Sequence, residues 1–570
     1  MDDKRNLVLA MVLAMLILVG WQYATAFFMP AQEPATKVVD GRSVAVAQDQ
    51  AGVTPPAQRP AVARTLNSAL GEAPRIAIET PKLRGSINLR GGRIDDLVLL
   101  NYRQTIDRES PPVRLFSPAG TQNYYFAGAG WTGESLTAPT ADTLWTTPAG
   151  ARLTPTTPVT LTYDNGVGQV FETTIAVDAD YMFSVTQKVT NRAAAAVGVQ
   201  PYAFVSRKGV SPHVDTWTIH TGAMGVFNGA AEYVNLDLIR DVPGQTKTQV
   251  TTGGWLGYTD LYWLGAVIPD QSREVTTRFT RQNGARHQAD FAESASVLAP
   301  NRTRTSTARI FAGAKETDVL DGYADSGIML FDHATDWGWF IWFAKPIFYL
   351  LDWLFDAIGN FGLAIMALTL IIRLIMFPIA QKQFGSMAAM RVVQPKVKAL
   401  QEKYADDKPR MQQEMMALYK TEKINPLAGC LPIVIQIPIF YALYKCLMLT
   451  VEMRHQPFML WIKDLSAPDP AHILNLFGYL PFTVPAFLGI GVLAVLLGVS
   501  MFVQFKLNPP PPDPVQAQVF SIMPWMLMFV MAPFAAGLLL YWITNNVLTI
   551  AQQKLLYSRY PNMKTAVAKT

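Results

Sequence analysis

The sequence predicts a polytopic α-helical membrane protein with six transmembrane helices and an all-β sandwich domain outside the cytoplasm. Half of the 570 residues are apolar and only 16% are charged, whereas soluble globular proteins carry about 25% charged residues. The apolar residues are concentrated in the first 29 positions and in most of the chain after residue 337. Between about 60 and 335, the chain has the composition of a soluble domain with many short strand-like runs.

Residues 1–29 are predicted to form a transmembrane anchor with its N-terminus in the cytoplasm. Lys4 and Arg5 precede an apolar run that extends to Met29, and basic residues mark the cytoplasmic side. Cleavage as a signal peptide after Ala26 is the alternative. The run is longer than the roughly 7–15 apolar residues of a signal peptide, and about 20 residues span a bilayer, so the uncleaved anchor is favoured.

Residues 30–70 are rich in alanine, proline, glutamine and valine, which is typical of a flexible linker. Residues 71–335 are predicted to form the β-sandwich. Short β-branched or aromatic runs occur at 76–78, 159–163 and 183–186. They are separated by predicted turns at Gly91-Gly92, Asn165-Gly166 and Gly253-Gly254.

Residues 337–358 are predicted to form an amphipathic helix in the membrane interface. Lys345, Asp352 and Asp356 are spaced by seven and four residues, so they fall on one stripe of a helix. A charged stripe is costly against lipid, and such helices lie in the interface. A spanning helix is the alternative, but it would place the basic loop 381–425 outside the cytoplasm.

A core from 359 to 557 contains five further predicted spans, at about 361–380, 427–449, 484–505, 517–533 and 535–554. The loop 381–425 carries nine Lys and Arg residues, whereas the next loop, about 450–475, carries only Arg454 and Lys463. The tail 558–570 is also basic. By the positive-inside rule the loop, the tail and both termini are cytoplasmic.

Arg373 is the most conspicuous polar residue of the predicted spans. An arginine at mid-bilayer costs about 2.5–3.5 kcal/mol on insertion scales, and no acidic residue lies in a predicted span to pair with it. It either snorkels to the cytoplasmic headgroups or faces a hydrated cavity open to the cytoplasm. The cavity is favoured because other polar residues could line it: Thr369, Gln436, Tyr541, Trp542, Thr544, Asn545 and Asn546.

The cytoplasmic loop 381–425 is predicted to form an amphipathic helical hairpin. Methionine suits surfaces that accept varied apolar partners, and five methionines fall in the hairpin: Met387, Met390, Met411, Met415 and Met416. The two helices either bury these side chains against each other or offer them to a substrate, and a hairpin that opens could do both.

Several motifs occur in an order that resembles the YidC family of membrane protein insertases. They are QPK at 394–396, QEMMALYK at 413–420, NPLAGCLP at 425–432 and QIPIF at 436–440. The resemblance covers about 337–557. It implies a five-helix core with a hydrophilic groove in which Arg373 is the groove arginine and Thr369, Gln436 and Phe440 face the groove or the substrate. Tyr541 and Trp542 stand where two tyrosines are common, so a hydroxyl is lost at Trp542.

The resemblance also implies what the protein does and where. It predicts a non-enzymatic insertase and folding chaperone of the bacterial inner membrane, with its β domain in the periplasm and without metal or cofactor. The expected partners are nascent membrane proteins, the Sec translocon, membrane lipids, and ribosomes or targeting factors at the hairpin and tail; no nucleic acid is expected to bind directly.

Two other functions are considered. A small-solute transporter or channel would also explain Arg373, but such proteins carry inverted repeats, which the sequence lacks. A glycan-binding or glycan-processing role for the β domain is the other, since the family's domain resembles sugar-binding sandwiches. His213, His220 and His287 form no recognisable catalytic pair with a carboxylate.

Overall fold

The computed structural model describes residues 36–39, 42–45, 64–209, 211, 219–235, 239, 246–282, 286–404, 407–422, 431–478, 480, 489–507 and 514–559. Side chains are described there except at 36–39, 42–45, 282, 339, 382–392, 394, 398, 408, 431–435, 478, 514–516 and 557–559. The predicted anchor 1–29, much of the linker, residues 425–430 of the NPLAGCLP motif, the beginning of the 484–505 span, His213 and nearly all of the tail lie outside this description.

The chain divides into two compact units, residues 1–54 with 510–523 and residues 55–509 with 524–570. In the first, Thr36–Val39 and Arg42–Ala45 form an antiparallel hairpin. In the second, the helix Leu66–Leu70 begins at Thr65, whose hydroxyl accepts from the Ser68 amide. The predicted linker 30–70 therefore contains regular structure, because β-branched residues pair in one place and a capped turn forms in the other.

The β domain consists of two antiparallel sheets, apart from one parallel pair, Arg75–Glu79 with Arg152–Leu153. Its strands, numbered after the hairpin strands β1 and β2, are β3 Arg75–Glu79, β4 Leu83–Asn88, β5 Arg93–Arg103, β6 Pro112–Phe116, β7 Tyr125–Thr132, β8 Arg152–Leu153, β9 Val159–Asp164, β10 Gln169–Val177, β11 Met182–Asn191, β12 Val197–Lys208, β13 Gly222–Phe227, β14 Ala230–Val234, β15 Thr246–Thr252, β16 Trp255–Thr259, β17 Trp263–Ile268, β18 Glu274–Gln282, β19 Arg286–Glu293, β20 Ser296–Leu298 and β21 Arg302–Ala314.

One sheet has eight strands in the order β14-β13-β16-β17-β21-β11-β10-β9. The other has eleven, in the order β15-β18-β19-β12-β7-β5-β4-β3-β8, with β20 beside β12 and β6 beside β5. Strand β10 illustrates why they pack: its burial alternates residue by residue, with Phe171, Ile175 and Val177 buried. Such alternation places one face of a strand in the core, and the predicted sandwich is confirmed.

The three predicted turns lie between strands. Gly91 and Gly92 connect β4 to β5, Gly166 lies between β9 and β10, and Gly253-Gly254 connect β15 to β16. All five glycines have positive φ, a backbone conformation that residues with a Cβ avoid.

The helices concentrate in the second half of the chain. They are Thr317–Asp325, Ile341–Ile358 (the amphipathic helix), Phe361–Ile375 (the arginine helix), Phe377–Lys403 and Lys408–Thr421 (the hairpin), Leu431–Leu449 (the glutamine helix), Val492–Leu507, Pro514–Met531 and Ala536–Arg559 (the last helix). Short 3₁₀ turns lie at Phe331–Ala334, Gly338–Phe340, Val451–Met453 and Leu476–Gly478.

The arginine helix begins at Asn360, whose side chain accepts from the Leu363 amide. The predicted span 361–380 is interrupted at Met376, and the next helix has Pro378 in its first turn, where proline is tolerated. The arginine helix packs against the amphipathic helix and the last helix, around buried side chains such as Ile365. No helix of the described residues has the length and apolar content that a membrane span needs.

Candidate functional site

Arg373 lies in the last turn of the arginine helix and is half-buried against the last helix. Its Nε donates to the side-chain oxygen of Asn545 at 2.8 Å, and its Nη2 donates to the Thr549 hydroxyl at 2.6 Å. The Asn545 carbonyl lies 3.4 Å from Nη2. The guanidinium is therefore held by neutral acceptors, without a carboxylate among the partners described.

The acceptors stand one helical turn apart on the last helix. Asn545 and Thr549 are four residues apart, so both face the arginine helix. The Thr549 hydroxyl also donates to the Asn545 carbonyl at 2.6 Å, which fixes its rotamer. Asn545 is buried, and a buried amide keeps its place only when it is hydrogen-bonded.

Tyr541 lies one turn before Asn545 on the same helix. Its hydroxyl accepts a hydrogen bond from the Gln436 amide of the glutamine helix. Phe440, one turn after Gln436, meets the Trp542 ring edge-to-face with centroids 5.2 Å apart. The structure thus brings four of the six predicted groove residues together in two cross-helix pairs, and Arg373 bonds the next turn of the last helix.

Thr369 is buried, and its hydroxyl donates to the Ile365 carbonyl of its own helix at 2.6 Å. This bond uses the hydroxyl within the helix, so the structure does not join Thr369 to the Arg373 contacts. Asn546 is also buried, but it donates to the Ser500 hydroxyl at 2.9 Å, away from Arg373. Thr544 donates to the Leu540 carbonyl of its own helix.

The two hairpin helices pack through Val393, Val397 and Tyr419, with Met415 against this small cluster. Met411 is half-buried, whereas Met416 is 54% exposed. Met387 and Met390 lie on the helix Phe377–Lys403, but their side chains are outside the described part. The hairpin therefore packs Met415 against its own small core and leaves Met416 open.

The β domain is attached to the helices by polar contacts that the sequence did not predict. Lys345 of the amphipathic helix bonds Asp321 at 2.6 Å and Asp332 at 2.9 Å. Two carboxylates that hydrogen-bond its ammonium raise the pKa of Lys345 against the opposing effect of burial. Lys345, one residue of the predicted charged stripe, therefore faces the end of the β domain.

The loop after the glutamine helix makes two more contacts with the β domain. The Arg454 guanidinium donates to the Arg103 and Gln104 carbonyls and lies 5.3 Å from the centre of the Trp263 ring. The Glu452 carboxylate accepts from the Thr317 amide at 2.7 Å, at the start of the helix Thr317–Asp325. Burial raises the pKa of Glu452 to about 7.

Sequence reasoning missed Thr549 and these attachment residues. The spacing of Tyr541, Asn545 and Thr549 by four was a signal for the first, because such residues share one helix face. No local pattern identifies Glu452 or Asp321, whose partners are far along the chain. Among the described residues, no group of three histidine, cysteine, aspartate or glutamate side chains could hold a metal ion.

Comparison with family models gives two matches. The model for the YidC periplasmic domain matches residues 75–350, and the model for the 60Kd inner membrane protein matches residues 353–564. Among curated proteins, the "Membrane protein insertase YidC" of Zymomonas mobilis is 45% identical over 568 residues, covering 98% of this chain and 96% of the relative. The protein with the same description from Rhizobium meliloti is 42% identical, covering 100% and 99%.

Two solved structures are similar at low identity. The crystal structure titled "Active YidC insertase crystal structure with the first transmembrane domain resolved" is 19% identical, with a TM-score of 0.36, covering 84% of this chain and 91% of that chain. A galactose mutarotase-like protein from Lactobacillus casei is 12% identical, with a TM-score of 0.28, covering 42% of this chain and 100% of that chain.

Proposed function

This chain belongs to the YidC family of membrane protein insertases, and we propose that it moves hydrophobic segments of nascent proteins into the bilayer along the face where Arg373 meets the last helix. As a family member it is an inner-membrane insertase with a periplasmic β domain, and it is not an enzyme. The groove residues, the topology and the specific partners are parts of the proposal.

The contact of Arg373 with Asn545 and Thr549 is the observation that carries the proposed route. An arginine among apolar helices is costly in lipid, and such residues mark substrate pathways. Neutral acceptors hold the guanidinium without cancelling its charge. It therefore remains able to attract the acidic flank of a substrate segment, while Thr369, Gln436, Phe440, Tyr541 and Trp542 would form the neighbouring walls.

The outward face of the arginine helix supports its placement in lipid. Leu363, Met366, Leu370 and Leu374 are all exposed and, at intervals of three and four, they lie on one face. Exposed apolar patches of this kind mark interaction or membrane surfaces. We propose six spans, namely the anchor 1–29 and about 361–380, 427–449, 484–505, 517–533 and 535–554, with both termini cytoplasmic.

The driving force would be burial of the substrate's apolar surface in lipid, at about 25 cal/mol per Å². No nucleotide is then required. The hairpin would receive the substrate on the cytoplasmic side, since Met416 stays exposed there. We include in the proposal the Sec translocon, ribosomes or targeting factors, and lipids as further partners, and chaperone activity during folding.

The test uses liposomes that contain only this purified protein and a single-span substrate, read by protease protection of the translocated segment. Arg373→Ala should reduce insertion of a substrate with an acidic translocated segment about tenfold, the equivalent of one charge-assisted hydrogen bond, and a neutral version less. Equal insertion of both versions by this variant would contradict the role of Arg373.

The matched control is Asn546→Ala, because Asn546 neighbours Asn545 but bonds Ser500 instead of Arg373. Asn545→Ala removes the acceptor of Arg373 Nε. It should reduce insertion of the substrate with the acidic segment more than insertion of the neutral version. Asn546→Ala should lower both substrates equally or not at all. No protection above empty liposomes with the wild-type protein would refute autonomous insertion.

A further inference from the structure

A cavity of about 50 Å³ lies in the β domain, away from the helices. Strands β5, β7, β12 and β19 of the eleven-stranded sheet contribute most of its lining. The lining includes Arg93, Trp131, Trp145, Tyr202, Phe204 and Arg286. No aspartate or glutamate is among the described lining residues, so the charged side chains that line the cavity, Arg93 and Arg286, are cationic.

Two glycines create the aromatic floor of this cavity. Gly128 and Gly130 of β7 pair with Phe204 and Tyr202 of β12. A Cβ on Gly130 would lie 2.7 Å from the Tyr202 hydroxyl, and one on Gly128 would lie 3.1 Å from the Phe204 ring. The absence of both Cβ atoms lets the two rings lie over the neighbouring strand.

Two guanidinium groups lie beside this floor. Arg93 lies with its guanidinium carbon 5.1 Å from the centre of the Phe126 ring. Arg286 donates from Nε to the Tyr124 hydroxyl at 2.7 Å. Burial lowers the pKa of Arg93. Asp95, Tyr202 and Asp142 oppose that fall, and repulsion by Arg286 makes a smaller contribution to it. An anion that enters between two cations in a buried wall relieves their repulsion and lowers the electrostatic free energy of the site.

Two indole N–H groups in the wall have no acceptor. Trp131 and Trp145 are 2% and 6% exposed, both line the cavity, and neither Nε1 donates a hydrogen bond within the described residues. A buried donor without an acceptor costs about 1–3 kcal/mol. Gln187 Oε1 also lines the cavity and is a buried acceptor without a hydrogen-bond donor among the described residues. The described wall therefore has two unsatisfied donors and one unsatisfied acceptor.

We propose that this cavity binds a carboxylate of a protein segment that the insertase has delivered to the periplasm. The inference rests on the insertase function, because that function brings such segments to the β domain. A volume of about 50 Å³ exceeds the roughly 10–15 Å³ that holds one water and is far below the roughly 150 Å³ of a cavity that holds benzene. It suits a carboxylate and excludes a whole sugar ring.

The test measures binding of small probes to the full-length protein in lipid nanodiscs by saturation-transfer NMR. N-acetyl-aspartate α-amide supplies a side-chain carboxylate, and N-acetylglycine supplies a terminal one. N-acetyl-asparagine amide is the neutral isostere, and galactose is the neutral sugar. We expect a carboxylate probe to bind at least about tenfold more tightly than the neutral isostere, because hydrogen bonds to charged groups are worth about 1.5–3 kcal/mol. The tighter of the two carboxylates identifies the source.

Trp145→Phe keeps an aromatic side chain but removes the indole donor, and it should weaken carboxylate binding about tenfold. Arg93→Gln should weaken binding at least as much. Arg84→Gln is the matched control, since Arg84 is an exposed residue of β4 that does not line the cavity. Equal binding of aspartate and asparagine probes, or galactose binding alone, would overturn the proposal.

Unchanged binding in both Trp145→Phe and Arg93→Gln would likewise place the carboxylate elsewhere. Insertion activity is measured with the same purified protein reconstituted in liposomes. A preparation that inserts substrate normally and binds no carboxylate refutes this cavity site alone. Failure of insertion by the wild-type protein would instead refute autonomous insertion, and the carboxylate binding measured in nanodiscs would still decide this cavity site.

Discussion

Glu452 makes the attachment of the β domain to the helices sensitive to pH. Its carboxylate is buried and caps the helix Thr317–Asp325. Burial raises the pKa of Glu452 from 4.5 to about 7, with Asp352 adding repulsion and the Thr317 amide opposing the rise. The folded state therefore favours the protonated acid, and the contribution of Glu452 to stability is complete below about pH 4.5 and is lost as pH rises through 7.

The pKa of Glu452 differs by about 2.5 from its ordinary value, which corresponds to roughly 3 kcal/mol of unfolding free energy at about 1.4 kcal/mol for each pKa unit. Glu452→Gln keeps the oxygen that accepts from the Thr317 amide but cannot ionise. We expect the variant to match the wild-type protein near pH 4.5 and to exceed it by up to about 3 kcal/mol at pH 8. At about 2 °C per kcal/mol, the value for a domain of roughly 250 residues such as the β domain, the unfolding midpoint should rise by roughly 6 °C.

The assay follows thermal unfolding of the full-length protein in nanodiscs by tryptophan fluorescence from pH 4.5 to pH 8. The difference between variant and wild type isolates Glu452 from other titrating groups. Glu134→Gln, at an exposed glutamate of the β domain, is the control and should follow the wild-type curve. A Glu452→Gln curve parallel to the wild type across the whole range would refute the reasoning.

Three further outcomes are expected. Lys345→Met leaves two carboxylates without their cation and should destabilise the protein by about 1–3 kcal/mol, whereas Lys188→Met, at an exposed pair, should cost under about 1 kcal/mol; equal unfolding midpoints would contradict this. Gly313→Val should cost at least about 3 kcal/mol, because a Cβ there meets the Tyr181 ring at 2.1 Å, and a native midpoint would disprove it. Deletion of 384–423 should abolish insertion while the protein stays in the membrane fraction, and normal insertion by the deletion would exclude the hairpin as receiver.

Much of the fold follows from local patterns. Short β-branched or aromatic runs identified parts of β3, β9 and β11, and glycine pairs marked the turns at 91–92 and 253–254, because both signals lie within a few consecutive residues. The arginine helix was identified from its apolar run, and Arg373 was conspicuous because a charge there is costly. The number of membrane spans and the roles of the groove residues remain predictions.

Predictions failed to anticipate contacts that depend on distant segments. Lys345 was assigned to a stripe facing the membrane interface, but its partners Asp321 and Asp332 are at the end of the β domain. Asn545 was one of several polar residues in the last helix, and only packing selected it over Asn546 as the partner of Arg373. The spacing of residues along one helix does not specify the partners of Lys345 or the partner of Arg373 on another helix.

The amino-acid sequence was enough to predict the β-sandwich and the apolar helices, to show the family motifs, and to make Arg373 conspicuous. These features depend on side-chain periodicity, on turn residues and on the cost of a charge in an apolar segment, all of which act locally. Only the tertiary structure decided which acceptors hold Arg373, that burial moves the pKa of Glu452, and that Arg93 and Arg286 share one cavity wall with two unsatisfied indoles. Hydrogen bonding, desolvation and charge repulsion depend on distances between residues far apart in the chain, and those distances exist only once the chain has folded.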